Sequence, residues 1–559
     1  MEAASPAIAP ALAAFTANGA SGTAVPRDAA AGIPFSSAMP YPSRRAPVFA
    51  RQVVATSHPL AAQAGLAALE QGGSAVDAAV AAAATLTVVE PTMNGLGSDL
   101  FAIVWEGGKL HGLNASGRAP LAWSRDRFAR QRTMPALGWD SVTVPGAVSG
   151  WAELSERFGR LPFGHLLRAA IGYAHEGFLV TPHVGALWED APERFRGFRE
   201  FERVFLPGGH APKVGSHIRF PDLARSLEAV AESRGRAFYR GDLARRIAGS
   251  ARAEGGALTE EDLARHAPSW VEVLGSDYLD TRVHELPPNG QGLAALVALG
   301  ILRHLPIGRH GPDHPETVHL QLEAMKIAFA ECHLHLADPS RMRVEAEELL
   351  SPQRLEQHAR TIRVERASDP RPFPPPDHGT VYVAAADRDG GMVSLIQSNY
   401  LGFGSGVVVP GTGISLQNRG HGFSLDPEHP NCVAGGALPY HTIMPGMLTR
   451  GGDAVMSFGV MGGHMQPQGH VQLVLRIVHY RQNPQAACDA PRWHLTERSE
   501  VALEAGFPPE VARDLERRGH TLVRHPREAL FGGAQVVHKV PHGYCAASDP
   551  RKDGQAVGS

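Results

Sequence analysis

Residues 377–406 read DHGTVYVAAADRDGGMVSLIQSNYLGFGSG, and the interpretation of the whole chain starts from this stretch. Two runs of small and β-branched apolar residues are joined by the short loop 388–390, RDG. This pattern predicts a β-hairpin, because the glycine of such a loop can take the left-handed backbone. Counting outward from the loop places Thr380 directly opposite Ser398, on the same face of the strand pair.

The surroundings of Thr380 indicate a nucleophile. Gly379 and a proline-rich run, 371–376, precede it, which is typical of a flexible linker. A self-cleaving hydrolase would expose a new N-terminus at such a place. The free amine of a leading threonine can act as the base for its own Oγ, so no separate histidine is required. Ser398 would then provide a second hydroxyl beside the nucleophile.

Composition narrows the class of protein. The chain has 559 residues, of which 43% are hydrophobic and 19% charged, which fits a globular protein with a large core. The net charge is −3, so there is no electrostatic footprint for nucleic acid or for an anionic membrane. The four cysteines form no CxxC pair and are predicted to be free thiols. A small-molecule substrate is therefore expected.

The organisation of the chain is predicted as three parts. Residues 1–45 are rich in Ala, Pro and Ser and predict a disordered tail. A boundary in the Pro- and charge-rich stretch before Thr380 gives a large part, 46–379, and a small part, 380–559. Residues 185–245 carry dense Arg and Glu and predict solvated helices and loops. The longest apolar stretch, 78–89, is too short to span a bilayer, and we expect a soluble, cytoplasmic protein.

Two glycine motifs and several missing motifs bear on the chemistry. The run 458–464, FGVMGGH, follows a predicted strand, and the N–H groups of Gly462 and Gly463 could bind an oxyanion. The run 290–295, GQGLAA, resembles a dinucleotide fingerprint, but the acidic residue expected about 20 residues later is missing. The sequence has no GxSxG nucleophile elbow and no HExxH motif. Neither a cofactor nor a metal ion is expected.

These segments together resemble the γ-glutamyltransferase superfamily of N-terminal-nucleophile hydrolases. The similarity runs from about residue 54 to the C-terminus, and it rests on the following segments, in this order: SHPLAAQAG, GGSAVDAAVAA, SVTVPGAVSG, EAMKIAFAE, ADPS, TVYVAAADRDG, FGSG, GVMGGHMQPQGHVQ and SDPRKDG. The resemblance implies an α+β fold, a four-layer αββα sandwich. It also implies one precursor that cuts itself into a large and a small subunit.

The resemblance assigns roles to residues that the motifs already single out. The cut would fall between Gly379 and Thr380, with Thr380 as the nucleophile. Ser398 would be the supporting hydroxyl, and Gly462 with Gly463 would form the oxyanion hole.

The substrate-binding positions differ from those of family members that bind a γ-glutamyl group. Ser116 stands at the position of the family's carboxylate-binding Arg, with Arg118 two residues later. Other family positions are also replaced: Tyr400 stands for an Asn, Gly422 for an acid, and His441 and Thr442 for a pair of serines. A bidentate Arg–carboxylate contact is hard to replace with neutral groups.

The altered motifs, NASGRAP, LQNRG and HTIMPG, are similar to the branch of the family that includes oxamate amidohydrolase. That resemblance predicts hydrolysis of a small carboxylate-bearing amide through an acyl-threonine, with water or an amine as acceptor. Arg419 and Arg118 are the cations predicted to bind the carboxylate. Two alternatives stay open: a γ-glutamyltransferase or glutathione hydrolase, and a catalytically inactive relative that only binds.

Overall fold

The computed structural model describes residues 45–369, 379–496, 498–524 and 528–559. The proline-rich run 371–376 and residues 1–44 of the predicted tail lie outside the described residues. Arg45, the last residue of that predicted tail, donates hydrogen bonds to the carbonyl oxygens of Asp549, Lys552 and Gly554.

Antiparallel β-structure dominates the architecture. The described strands, in chain order, are β1 (Val48–Ala50), β2 (Val53–Thr56), β3 (Asp99–Glu106), β4 (Lys109–Ala115), β5 (Phe178–Leu179), β6 (His217–Ile218), β7 (Ser269–Val271), β8 (Leu274–Tyr278), β9 (Thr281–Glu285), β10 (Val381–Ala386), β11 (Met392–Ser398), β12 (Val408–Val409), β13 (Ile414–Ser415), β14 (Gly446–Arg450), β15 (Asp453–Met461), β16 (Trp493–Leu495), β17 (Val501–Leu503), β18 (Leu522–Val523), β19 (Gly533–Val540), β20 (Gly543–Ser548) and β21 (Gln555–Gly558).

Two seven-stranded sheets carry most of these strands. One has the order β1-β20-β19-β15-β14-β9-β8, and the other has the order β21-β2-β10-β11-β3-β4-β7. All neighbours in both sheets are antiparallel. We call the second one the hairpin sheet, because it contains β10 and β11.

Helices cover the outer faces of the sheets. The described α-helices, in chain order, are α1 (Pro59–Glu70), α2 (Ala75–Val89), α3 (Ala147–Phe158), α4 (Phe163–Leu166), α5 (Arg168–Glu176), α6 (Pro182–Trp188), α7 (Ala191–Arg194), α8 (Arg199–Phe205), α9 (Pro221–Ser233), α10 (Arg236–Arg240), α11 (Asp242–Ala253), α12 (Glu260–Arg265), α13 (Gly292–Leu302), α14 (Pro315–His335), α15 (Ala346–Leu349), α16 (Pro352–Thr361), α17 (Met465–Val474), α18 (Pro484–Asp489) and α19 (Pro509–Arg518). None of these helices is long and apolar enough to cross a membrane.

Strand β10 shows how the layers are built. Its residues are all buried, and alternate side chains point to opposite faces of a strand. Val381 and Val383 belong to the core beneath helix α2, whereas Tyr382 and Ala384 belong to the core between the two sheets. Helices α13 and α17 pack on the outer side of the other sheet. The order helix–sheet–sheet–helix confirms the predicted αββα sandwich.

Helix α2 packs closely on the hairpin sheet because its sequence is small and apolar. Ser74 and Asp77 form a capping box at its start, as each side chain bonds the backbone N–H of the other. All fifteen of its residues, Ala75–Val89, are buried, and seven of them are alanine. The small side chains allow the helix to lie directly against β10 and β11.

The hairpin has the predicted register. Val381 pairs with Gln397, and Ala386 pairs with Met392. The same register, extended by one residue, places Thr380 opposite Ser398, and the N–H of Asp387 donates to the carbonyl of Gly391 across the turn.

The expectation for residues 185–245 was wrong in part. Seven aromatic side chains in this Arg- and Glu-rich stretch are buried, and four of them lie around Phe403, namely Trp188, Phe195, Phe201 and Phe205. Their rings lie 5.0–5.9 Å from that of Phe403. The stretch therefore contributes a core that contacts the loop after β11.

Candidate active site

Thr380 lies at the entrance to strand β10 and is 1% exposed. The residue before it must be glycine. Gly379 has a φ of +128°, and a Cβ at this position would lie 2.6 Å from the carbonyl oxygen of Tyr400. The peptide between Gly379 and Thr380 is therefore held in a backbone conformation that other residues rarely adopt.

Two hydroxyl groups meet on the carbonyl of this peptide. The Thr380 Oγ1 lies 2.6 Å from the Gly379 carbonyl oxygen, and the Ser398 Oγ lies 2.5 Å from the same oxygen. The two hydroxyl oxygens are 3.5 Å apart. The structure thus brings together the threonine and serine that the hairpin count placed opposite each other.

Arg419 lies behind Ser398. It begins a short 3₁₀ turn, Arg419–Gly422, and its side chain is fully buried. One guanidinium nitrogen donates to the Ser398 Oγ at 3.2 Å, and the other donates to the Thr442 Oγ1 at 2.8 Å. The guanidinium also lies over the ring of Tyr400, 4.2 Å from its centroid, in cation–π geometry. Three residues predicted to bind substrate, Arg419, Tyr400 and Thr442, are therefore next to the hydroxyl pair.

The double glycine connects strand β15 to helix α17. Both Gly462 and Gly463 have positive φ, +114° and +56°. The carbonyl of Gly462 accepts from the N–H of Met465, and that of Gly463 accepts from the N–H of Gln466. The side-chain amide of Gln466 donates to the Thr380 Oγ1 at 3.3 Å, so the helix that follows the double glycine contacts Thr380 directly.

Gln466 is a residue that the sequence reasoning missed. Its amide has two partners, since Oε1 also accepts from the backbone N–H of Met444 at 3.1 Å. The available signal was its place three residues after Gly463, as the second residue of α17.

Gln291, in the GQG motif, is a second missed residue. Its amide nitrogen donates to the carbonyl oxygens of Thr442 and Gly463, at 2.5 and 3.0 Å. Its amide oxygen accepts from the Tyr440 hydroxyl at 2.9 Å and lies 2.9 Å from the Nδ1 of His464. The motif that resembled a dinucleotide fingerprint therefore fastens the double-glycine loop to the loop that carries Thr442.

His441 lies one layer further back, where it contacts Asp99 rather than the hydroxyl pair. Its Nε2 is 3.1 Å from the Oδ2 of Asp99. The other carboxylate oxygen of Asp99, Oδ1, accepts from the N–H of Gly146 at 3.1 Å. Burial raises the pKa of Asp99 to about 7, against the opposing effect of the Arg419 charge. Burial also lowers the pKa of His441 well below its ordinary value. The pair is therefore a buried acid–imidazole contact beside the arginine.

Among the described residues, Ser116 and Arg118 share no hydrogen bond with Thr380 or Ser398. Arg118 forms an ion pair with Asp338 at 3.0 Å and donates to the carbonyl of Gly436, with its side chain 55% exposed. Ser116 donates to the side chain of Asn114 at 2.7 Å. Both residues line a cavity of about 720 Å³.

In the part of the chain that the structure describes, one group of side chains has the spacing to hold a metal ion, namely His319, Glu323 and His520. The ammonium group of Lys326 lies 2.8 Å from the Glu323 carboxylate and already neutralises it. The Nδ1 of His319 lies 2.8 Å from the Nε2 of His520. This cluster has none of its hydrogen bonds in common with the group around Thr380.

Comparisons with known proteins identify the family of the chain. A family model described as gamma-glutamyltranspeptidase matches residues 61–559. The oxamate amidohydrolase proenzyme of Klebsiella pneumoniae is 38% identical over 515 residues, which is 90% of this chain and 97% of the relative. The glutathione hydrolase-like YwrD proenzyme of Bacillus subtilis is 35% identical over 518 residues, which is 91% of this chain and 98% of the relative.

Among solved structures, the cephalosporin acylase of Bacillus halodurans is similar across nearly the whole chain. The TM-score is 0.90 at 47% sequence identity, and the match covers 94% of this chain and 99% of the acylase chain. The similarity therefore includes both sheets and the helices that cover them.

Proposed function

The chain belongs to the gamma-glutamyltranspeptidase family, and on that premise we propose that it is a self-cleaving amidohydrolase with Thr380 as its nucleophile. The single observation that carries the proposal is the meeting of two hydroxyl oxygens on the carbonyl of Gly379, at 2.5 and 2.6 Å. Relatives described as proenzymes match nearly the full length of the chain, which supports a precursor that is cut into two subunits.

Self-cleavage begins with the uncut peptide. The Thr380 Oγ1 forms a bond with the carbonyl carbon of Gly379, the C–N bond of the peptide breaks, and the hydroxyl proton ends on the released amine of Thr380. Water then hydrolyses the resulting ester and leaves a carboxylate on Gly379. Because Thr380 is 1% exposed and Ser398 is fully buried in the uncut chain, the precursor is closed to substrate until this step.

Turnover uses the new N-terminus. The free amine of Thr380, with a reference pKa of about 8, takes the proton of its own Oγ1. The oxygen attacks the amide carbonyl of the substrate, and the amine leaves with a proton. Water or an acceptor amine resolves the acyl-threonine.

The double glycine and Gln466 serve the transition state in this proposal. The N–H groups of Gly462 and Gly463 hold the oxygen that becomes negative when the nucleophile attacks. Support comes from the bond between the Gln466 amide and the Thr380 Oγ1, which places the start of α17 beside the nucleophile.

The proposed substrate is a small amide that bears a carboxylate next to the scissile carbonyl, such as oxamate. Arg419 supports this choice, since one of its nitrogens lies 3.2 Å from the Ser398 Oγ, which itself lies 2.5 Å from the carbonyl oxygen of Gly379. In this proposal, the carboxylate adjacent to the reacting carbonyl binds the guanidinium of Arg419. Arg118 is less suitable because it pairs with Asp338 at the 720 Å³ cavity.

A second candidate is a bulkier amide of the kind that an acylase hydrolyses. The cavity beside Ser116 favours it, since about 720 Å³ is in the range of pockets that hold drug-sized ligands and far exceeds the volume of oxamate.

A side-by-side assay separates the candidates. Purified, self-cleaved protein is given oxamate, a γ-glutamyl anilide and a glutaryl-cephalosporin analogue at equal concentration, and amine release is measured. We expect the highest kcat/KM with oxamate. We also expect Arg419→Met to raise KM for oxamate at least tenfold, measured on whatever fraction of the variant is cleaved.

The control is Arg118→Met, which removes a cation that does not bond the Thr380–Ser398 hydroxyl pair. This variant is expected to keep kcat/KM for oxamate within twofold of the wild-type value. A clear preference for the γ-glutamyl compound would refute the substrate assignment, and a preference for the cephalosporin analogue would favour the second candidate.

A further inference from the structure

The Ser398 hydroxyl has three close partners that fix the direction of its own proton. The backbone N–H of Tyr400 donates to the Ser398 Oγ at 2.8 Å, and Arg419 donates to it at 3.2 Å. Neither donor can accept a proton. The carbonyl oxygen of Gly379, at 2.5 Å, can only accept. The Ser398 O–H therefore points at the carbonyl of the peptide that is to be cut.

Arg419 stands at the start of this chain of hydrogen bonds. Its guanidinium is fully buried, and it is held in place by the Thr442 hydroxyl at 2.8 Å and by the ring of Tyr400. The Arg419 backbone N–H also donates to the side-chain oxygen of Gln417 at 2.5 Å. A fixed positive charge therefore lies two hydrogen bonds away from the scissile carbonyl oxygen, in a site shielded from water.

A buried donor chain of this kind strengthens its last bond. A hydrogen bond from an ionised donor is roughly twice as strong as a neutral one, and successive bonds polarise one another. The Ser398 oxygen accepts from a cation, so its O–H becomes a better donor. The benefit is largest when the Gly379 oxygen carries negative charge, because electrostatic interactions are less screened in a dry interior.

We propose that Arg419 is a positioning residue for self-cleavage, acting through Ser398 to stabilise the oxyanion that forms at the Gly379 carbonyl. The inference rests on the proposed cut between Gly379 and Thr380 and deepens it, because it gives Arg419 a role before any substrate is present. It also explains why the arginine is directed at the serine in the uncut chain.

The proposed step is balanced without any proton from Arg419 or Ser398. When the Thr380 Oγ1 bonds to the Gly379 carbon, the π electrons of the carbonyl move onto its oxygen, where the Ser398 O–H and the charge behind it stabilise them. The pair returns as the C–N bond breaks, and the threonine hydroxyl proton is transferred to the departing nitrogen. The serine and the arginine finish the step unchanged.

The test follows the rate of cutting during synthesis. Wild type, Arg419→Met, Arg419→Lys, Ser398→Ala and the double variant Ser398→Ala/Arg419→Met are made by cell-free translation, and the cut fraction is measured over time on denaturing gels. We expect Arg419→Met to slow cutting at least tenfold and Arg419→Lys, which keeps the charge, to slow it less. In the Ser398→Ala background, Arg419→Met is expected to cause no further slowing, because the arginine acts through the serine.

A matched control is Arg476→Met, which removes another buried arginine, one that pairs with Asp313, and is expected to cut at the wild-type rate. Thermal melting of each uncut variant checks that it is folded. If Arg419→Met does not fold, the Arg419→Lys change made with and without Ser398→Ala provides the same comparison.

The outcomes distinguish this inference from the proposed function. A wild-type chain that stays uncut would overturn the proposed function itself. A wild type that cuts, together with an Arg419→Met variant that cuts equally fast, would overturn only the role of Arg419. Equal slowing by Arg419→Met with and without Ser398 would show that the arginine does not act through the serine.

Discussion

At the scale of single residues, the register of the hairpin determines the short contact between Thr380 and Ser398. Thr380 and Ser398 were predicted to face each other by counting from the turn, and their oxygens are 3.5 Å apart. The contacts of Arg419 and Gln466 could not be predicted in the same way. Arg419 lies in a 3₁₀ turn and Gln466 in helix α17, and only the tertiary packing brings them to the hairpin.

The double glycine provides a prediction at this scale. Gly462→Ala is expected to lower kcat at least tenfold, because φ at this position is +114° and the new Cβ would lie 3.1 Å from the Cα of Gly532. A strained backbone of this kind costs of order 1–3 kcal/mol, which the loop can relieve only by moving its N–H groups. Steady-state kinetics and thermal melting measure the two effects.

The control for that variant is Gly172→Ala, inside helix α5. A Cβ there would meet no atom within 4 Å, and alanine is the better helix former by about 1 kcal/mol. Its activity is expected to equal that of wild type. Equal activity in the Gly462→Ala variant would show that the double glycine does not bind the oxyanion.

At the scale of elements, the predicted cut divides the chain but not the sheets. In the hairpin sheet, β10 lies between β11 and β2, and β21 pairs with the other edge of β2. In the other seven-stranded sheet, β9 of the large part pairs with β14 of the small part. Each sheet therefore contains strands from both sides of the cut, joined by backbone hydrogen bonds.

This interleaving predicts that the two subunits stay together after cutting. Cut wild type and uncut Thr380→Ala are expected to elute at the same volume in size-exclusion chromatography, with both wild-type chains in one peak at equal amounts. Separation is expected only in denaturant. A small subunit that elutes alone under native conditions would contradict the shared sheets.

The elements themselves were predicted well where one signal dominated. The alternation and the turn of the hairpin predicted β10 and β11. The stretch 185–245 was misjudged because charge density hid its periodic aromatic residues. Burial of Phe201 and Phe205 depends on Phe403, which lies about 200 residues away in the sequence and is therefore invisible to local patterns.

At the scale of the whole molecule, buried ionisable groups determine how stability depends on pH. Burial is the main cause that lowers the pKa of five histidines: to about 4 for His58, His266 and His284, and to about 3 for His470 and His520. These groups stabilise the fold above pH 6.5, and that stabilisation is lost as the pH falls towards 4. Burial raises the pKa of two carboxyl groups, Glu90 and Asp99, to about 7, and their contribution is lost as the pH rises through 7.

Burial also raises the pKa of Glu285 and lowers the pKa of His183 and His441. The histidines with a lowered pKa outnumber the three buried carboxyl groups, so the net effect on stability has a definite sign. Between pH 6.5 and 4.5 the unfolded chain binds more protons than the folded chain, and acidification is expected to lower the melting temperature. Each unit of pKa shift corresponds to about 1.4 kcal/mol of differential stability. Calorimetry across this range checks the prediction.

His284→Gln is a suitable companion variant, since His284 is nearly buried and its ring bonds the Thr449 hydroxyl at 2.9 Å. Its melting temperature is expected to fall less steeply with acidification than that of wild type. A melting temperature that rises on acidification would contradict the dominance of the neutral histidines.

The family and the αββα architecture were both predictable from the sequence, because many short motifs occur in one order along the chain. The identity of the substrate was not, because the cavity near Ser116 and the buried Arg419 belong to different parts of the site. The sequence motifs predicted both Arg118 and Arg419 as carboxylate-binding residues. Only the fold shows that Arg419 is buried beside Ser398 and that Arg118 is exposed at the cavity.

The proposed function requires Thr380 to become the first residue of a small subunit and then to act as the nucleophile. Intact mass and N-terminal sequencing of purified wild type and Thr380→Ala test it most directly. We predict two wild-type chains, one ending at Gly379 and one running from Thr380 to Ser559, and a single uncut, inactive chain for the variant. A wild type that remains one chain, or that is cut at another bond, would contradict the account.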